Sequence, residues 1–191
     1  DKLTHALSEV YLEVEKIVLS VTEKTGFEYL GIDSSLNPSL KDGEGGSIVF
    51  ALERMIGDGF VWGGAGTLAV SEALTRAVKS CKVKQIGYCG LMLPVLEDRG
   101  LAQRAAEGGV SVEGLLAGSA VCGVGLDTVP LSGFVTEAAL TRTYLDITAL
   151  ALRLNKPLSC RLFPVPGKKA GERIAFPDNP YLCDSAALPL V

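Results

Sequence analysis

The sequence predicts an α/β fold of parallel strands alternating with helices, and three observations carry that reading. Short apolar runs bounded by Gly, Pro or charge alternate with amphipathic segments of roughly 10–18 residues, the order that parallel strands with right-handed crossovers require. Hydrophobic residues make up 48% of the 191 residues, with a mean hydropathy of +0.31. No apolar run reaches the ~18 residues of a membrane span, so buried parallel strands explain the excess. No clear hairpin is read anywhere along the chain.

In chain order, Leu3, Leu7, Val10, Val14, Ile17 and Val21 recur in steps of four and three, one face of a helix over residues 3–21. Lys24 in its last turn and Gly26 beyond give a normal stop. A stripe of this length is expected to pack on a sheet, with coiled-coil pairing as the other option. Residues 27–32 read as a strand opening onto Asp33, Ser34 and Ser35. Ser47 caps a helix over 47–56, a short extended piece covers 60–62, and a helix covers 67–79. Residues 83–88 read as a strand ending in Cys89-Gly90, and 98–107 as a helix stopped by Gly108-Gly109. Residues 115–121 read as the strand that delivers Cys122. Thr136 caps a helix with Leu140, Tyr144, Ile147, Ala151 and Leu154 on its core stripe, and 158–163 form a further strand. The tail from Gly171 to Val191 is Pro-rich and poorly periodic. About four parallel strands result, enough for an open sheet or one side of a barrel, in one domain spanning 1–191.

Net charge is −4, the isoelectric point is about 5.1, and no basic run exceeds Lys168-Lys169, which argues against a nucleic-acid surface. Five cysteines without a Cys-x-x-Cys pattern point to reduced thiols in an intracellular, most simply cytoplasmic, compartment. With His5 the sole histidine, a zinc site or a His-dependent triad lacks material. The chain starts at Asp1 without an initiator Met, which is read as part of a longer polypeptide. No membrane partner and no nucleic-acid partner are expected, and no cofactor can be named.

Four motifs stand in order along the chain: 29–39 (Tyr-Leu-Gly-Ile-Asp-Ser-Ser-Leu-Asn-Pro-Ser), 87–98 (Gly-Tyr-Cys-Gly-Leu-Met-Leu-Pro-Val-Leu-Glu-Asp), 119–130 (Ser-Ala-Val-Cys-Gly-Val-Gly-Leu-Asp-Thr-Val-Pro) and 156–168 (Lys-Pro-Leu-Ser-Cys-Arg-Leu-Phe-Pro-Val-Pro-Gly-Lys). Together they resemble a widespread family of bacterial and archaeal proteins of unknown function. The resemblance implies part of a ten-stranded α/β barrel like that of pyruvate formate-lyase and ribonucleotide reductase. It also implies that this chain is the carboxyl-terminal portion, and that its partner is the remaining half of the barrel or another subunit. Glycyl-radical enzymes of that fold hold a thiyl cysteine inside the barrel, and Cys122 is its analogue here. The tail has no glycine after Gly171, so the shared architecture is expected without radical chemistry.

The candidate residues follow from strand ends, where α/β proteins collect their chemistry. Cys122 is a nucleophile or relay, or a small residue packed where a strand meets a turn. Asp127 and Asp33 are acid/base groups or cation ligands, or satisfy turn amides. Ser34 and Ser35 accompany Asp33, and Cys89 could face Cys122. Gly64, Gly66 and Thr67 lie in a glycine-rich turn before a helix, whose amides could cradle an anion; the ribose-binding acid of a dinucleotide site is missing. Arg161, on a strand expected to be buried, needs an anionic partner: Asp33, Asp127 or a substrate anion. The function expected is an enzyme acting on a small anionic metabolite, the alternative a structural or ligand-sensing subunit of a larger assembly.

Overall fold

The structure, a computed structural model, describes residues 2–41 and 46–190. The two chain ends noted above, Asp1 and Val191, lie outside them. In order it forms α1 (Lys2–Thr25), α2 (Ile48–Ile56), α3 (Thr67–Lys79), α4 (Arg99–Ala106), α5 (Val112–Ser119), β1 (Gly125–Ser132), α6 (Glu137–Leu154), β2 (Ser159–Val165), β3 (Arg173–Ile174) and β4 (Ser185–Ala186).

β1 and β2 pair in parallel, from Gly125 opposite Ser159 to Ser132 opposite Val165, with α6 as their crossover. Along the other edge of β1, Pro94 lies parallel to Asp127 and Leu188 to Leu131. Segment 29–36 in turn runs parallel to 84–91, touching through Ile32–Gln85 and Leu36–Leu91. Four parallel stretches therefore lie side by side, and β1 with β2 is the continuous ladder among them. This is a mixed α/β arrangement with parallel strands. Among the described residues it does not close into a barrel.

The core gathers on β1, where Leu126, Val129 and Leu131 are fully buried against Leu91, Val95 and Leu101. The helix starts follow capping chemistry. Ser47 Oγ accepts from the Val49 amide at 3.1 Å, Asp98 Oδ1 from Leu101 at 3.0 Å, and Thr136 Oγ1 from Ala139 at 3.1 Å. Asp98 serves two helices, since its Oδ2 also accepts from Ile48 at 3.3 Å and its Oδ1 from the Ser47 hydroxyl at 2.5 Å. One buried carboxylate thus ties the start of α2 to the start of α4. No helix is long and apolar enough to cross a membrane among the described residues.

Several expectations are corrected. Residues 115–121 are mostly helix, in α5, and the strand is β1, beginning three residues after Cys122. A short apolar run does not separate buried helix from strand by period alone, and here Ser111 caps it as a helix, accepting from Gly114 at 3.1 Å. Conversely, Asp127, Thr128 and Pro130 disguise β1. The ladder slips register between Leu126 and Val129, and Thr128 takes φ 43° there. Residues 27–32 and 83–88 do not form strands but meet through a single bridge, Ile32 to Gln85. The tail holds a short antiparallel pair, β3 with β4. The stripe of α1 does not pack on a sheet: Val10 is 61% and Ile17 64% exposed.

Candidate functional site

The candidate residues other than Cys122 fall into three places. In the first, Asp33 builds a turn. Its Oδ1 accepts from the amides of Ser35 (3.0 Å) and Cys89 (3.1 Å) and from the Ser35 hydroxyl (2.6 Å), and its Oδ2 accepts from Tyr88 (3.3 Å). Partial burial pushes the carboxyl's pKa up, but these hydrogen bonds outweigh it and hold it below its ordinary value. Gly87 (φ 92°) must be glycine there, because a Cβ would stand 2.5 Å from Asp33 Oδ2. Ser34 is fully buried and accepts from Gln85 Nε2 at 2.8 Å. Cys89, buried at φ 46°, directs its thiol to the Ile86 carbonyl at 3.3 Å. Asp33, Ser34, Ser35 and Cys89 are thereby engaged in hydrogen bonds within the turn and its neighbour.

In the second, Asp127 is 2% exposed and accepts from Arg161 Nε, while Arg161 Nη2 donates to Glu97 at 3.1 Å. Of the partners expected for Arg161, Asp127 is the one the structure supplies. Its side chain is 52% exposed, against the buried strand position expected, because β2 has one side of its ladder open. Two carboxylates on one guanidinium leave a net negative cluster, with the Arg161 charge engaged inside the protein. Asp33 and Asp127 keep separate partners, and no group of three or more metal-ligating side chains occurs among the described residues.

Cys122 is fully buried before the amino end of β1, not at a carboxyl end, and its Sγ accepts from the Gly125 amide at 3.3 Å. Beside it is a residue that motif reading passed over. Lys156 Nζ donates to the Cys122 carbonyl and, at 3.1 Å, to Ser119 O, a cation on the carboxyl end of α5. Burial lowers its pKa, and the Cys122 thiol works against that. The glycines that follow Cys89 and Cys122 meet backbone to backbone: a Cβ on Gly90 would stand 2.8 Å from Gly123 Cα.

The third place is a cavity of about 390 Å³ between the amino ends of α3 and α5, lined by Trp62, Gly63, Gly64, Thr67, Ser111 and Gly114 among others. Gly66 is the N-cap of α3, at φ 94°, and supplies no side-chain cap. The Val70 amide bonds Gly66 O at 3.0 Å, and helix geometry leaves the Leu68 and Ala69 amides without intrahelical acceptors. Thr67 Oγ1 accepts from the Gly63 amide at 2.9 Å and closes the turn. Gly63 lies so close to the Gly108-Gly109 turn that a Cβ would stand 1.7 Å from Gly109 O. The cavity wall is fixed by a pair that sequence reasoning missed. Glu53 Oε1 accepts from Trp62 N at 2.8 Å and from Arg104 Nε at 2.8 Å, while its Oε2 accepts from Arg104 Nη2 at 2.6 Å. The hydrogen bonds from Arg104, with that from the Trp62 amide, hold Glu53 below its ordinary pKa against the partial burial that pushes it up. Nothing in the spacing of Glu53 and Arg104 announces this contact across two helices.

Fold and site together define an α/β protein with a parallel core and a glycine-rich cavity at two helix amino ends. The chain belongs to the family described as uncharacterised ACR (DUF711), whose model matches residues 1–179. A UPF0210 protein of Pyrobaculum arsenaticum is 34% identical over 177 residues, covering 90% of this chain and 38% of that protein. One from Oleidesulfovibrio alaskensis is 33% identical over 180 residues, with 92% and 38% covered. One from Lacticaseibacillus casei is 36% identical over 149 residues, with 76% and 32% covered. The chain thus spans well under half the length of these relatives. No solved structure matches it.

Proposed function

We propose that this chain is one part of a larger α/β protein acting on a small anionic metabolite, and that it holds the anion in the cavity between α3 and α5. The observation that carries this is the meeting of two helix amino ends, one capped only by glycine, at a single cavity. Each such end favours negative charge by ~0.3–1 kcal/mol, and free amides supply the hydrogen bonds. Gly64, Gly66 and Thr67 shape the turn. No cationic side chain lines the cavity, so the affinity is modest, on the order of millimolar. Isothermal titration with inorganic phosphate and with succinate tests it. Leu68→Glu, which places a carboxylate at the cavity, abolishes the binding if the reading holds, and equal heats for both proteins would refute it.

For Cys122, Asp33, Asp127 and Arg161 the structural role is the better reading, supported by full burial of the thiol and internal pairing of the charged groups. In the larger protein the four parallel stretches become one side of the ten-stranded barrel, and the remaining strands come from the rest of the chain or from a second subunit. The five free cysteines fit a reducing compartment.

A further inference from the structure

We propose that a basic neck joining two cavities at the carboxyl ends of α3, α5 and α6 binds a diphosphate ester, with Lys79 and Lys156 each serving one of its phosphates. This site is separate from the cavity at the amino ends of α3 and α5 and does not rest on it. The 13 residues of α3 set the two about 20 Å apart.

One cavity, of about 320 Å³, lies against Arg76, Ala120 and Val121. The other, of about 340 Å³, lies against Tyr88, Leu154 and Asn155. Lys79 and Lys156 line both, and they are the residues that the two walls share. Two cations therefore stand at the junction, on a chain whose net charge is −4. The one carboxylate on either wall among the described residues is Glu72, and its Oε1 is taken by Arg76 Nε at 3.1 Å.

The fold does not use up either ammonium. The last carbonyls of α3 are already served: Arg76 O accepts from the Ser80 amide at 3.0 Å, and Val78 O from the Cys81 amide at 3.1 Å and from Gln85 Nε2 at 2.8 Å. Lys79 is exposed, and no hydrogen bond or ion pair holds its ammonium among the described residues. Lys156 donates to Ser119 O and Cys122 O, which leaves the third proton of its ammonium. Burial pulls the Lys156 pKa down; the Cys122 thiol opposes this, and the like charge of Lys79 adds to the pull. An anion bound between the two lysines relieves that repulsion.

Where the charge sits decides which anion. A ligand that fills both cavities has its anionic centre at the neck and an organic part on either side. A diphosphate diester has that layout, with two negative charges on adjacent groups, one for each ammonium. A carboxylate or a phosphate monoester carries its charge at one end and occupies one cavity. Lysine meets phosphate as a point charge, without the planar fork that a carboxylate favours. The space available falls within the ~300–1,000 Å³ of small-molecule sites.

The test is amide NMR of the isotope-labelled chain titrated with inorganic pyrophosphate. Saturable shifts are expected at Val121, Tyr88 and Asn155, with an affinity at least about tenfold tighter than inorganic phosphate shows at the same amides. Lys79→Gln weakens it about tenfold, and Lys79→Arg restores it. Lys79 is exposed in the last turn of α3, so the exchange leaves the fold intact. Shifts at Leu68 and Ala69 report the amino-end cavity separately, so the loss of either site leaves the other standing. Three results each overturn the inference: shifts at Val121, Tyr88 and Asn155 that do not saturate, pyrophosphate binding there no tighter than phosphate, or Lys79→Gln binding as the parent does.

Discussion

Replacing Gly63 by alanine isolates the close approach on which the α3–α5 cavity depends. Two costs add at this position. Gly63 sits at φ 94°, where a side chain is strained by ~1–2 kcal/mol. The new Cβ would also stand 1.7 Å from the Gly109 carbonyl oxygen, a backbone atom with no rotamer to move aside. Forcing the two turns apart adds ~1–3 kcal/mol, as overpacking does elsewhere. Gly59 is the internal control, since its φ of 74° brings similar strain while a Cβ there meets nothing within 4 Å. Urea unfolding of Gly59→Ala is expected to show a loss of ~1–2 kcal/mol, and that of Gly63→Ala ~2–5 kcal/mol. For a chain of this size the latter lowers the melting temperature by roughly 4–20 °C. Gly63→Ala falling within about 1 kcal/mol of the control would mean that the turns are not in backbone contact, and the cavity geometry would fall with that contact.

Other expectations follow from the polar pairs. Arg161→Met leaves the buried Asp127 carboxylate without its cation and is expected to cost ~2–3 kcal/mol in denaturant unfolding, at the low end for a broken buried pair because Arg161 is half exposed; Asp127→Asn with Arg161→Met should recover part of it, and additive losses would show the pair is not coupled. Asp33 is held below its ordinary value of 3.8, so its contribution is present above that pH and disappears as pH falls through the lower folded value. Asp33→Asn should therefore lose stability at pH 7 and show a shallower decline on acidification, which urea midpoints at pH 7 and pH 3 would read. Lys156→Met strips the Ser119 and Cys122 carbonyls of their donor and is expected to cost ~1–3 kcal/mol; a melting temperature unchanged from the parent would contradict the clamp.

What the sequence made legible was local. Ser47, Asp98 and Thr136 were readable as caps because capping is decided within three residues of chain. The β1–β2 pairing was half visible: the apolar residues of β2 showed it, whereas Asp127, Thr128 and Pro130 hid β1 behind a bulge. That error moved Cys122 from the end of a strand to a point ahead of one. Arg161 was singled out as needing an anionic partner, with Asp33 and Asp127 among the options, but partner identity depends on long-range contacts that spacing does not encode. Glu53 with Arg104, 51 residues apart, left no trace for the same reason. The α1 stripe was read correctly as apolar and periodic. Its direction could not be, because the side a helix turns inward depends on what else is present to cover it.

The touching backbones of Gly90 and Gly123 carry a mechanical implication. Side chains between two loops act as bearings, changing rotamer so that one loop can shift while the other stays. Here there is no bearing: main chain meets main chain, and the Gly123 amide bonds Leu91 O at 2.7 Å. The turn organised by Asp33 and the start of β1 must then move as one rigid piece. A displacement delivered to segment 29–36 from outside would arrive at the central strand undiminished.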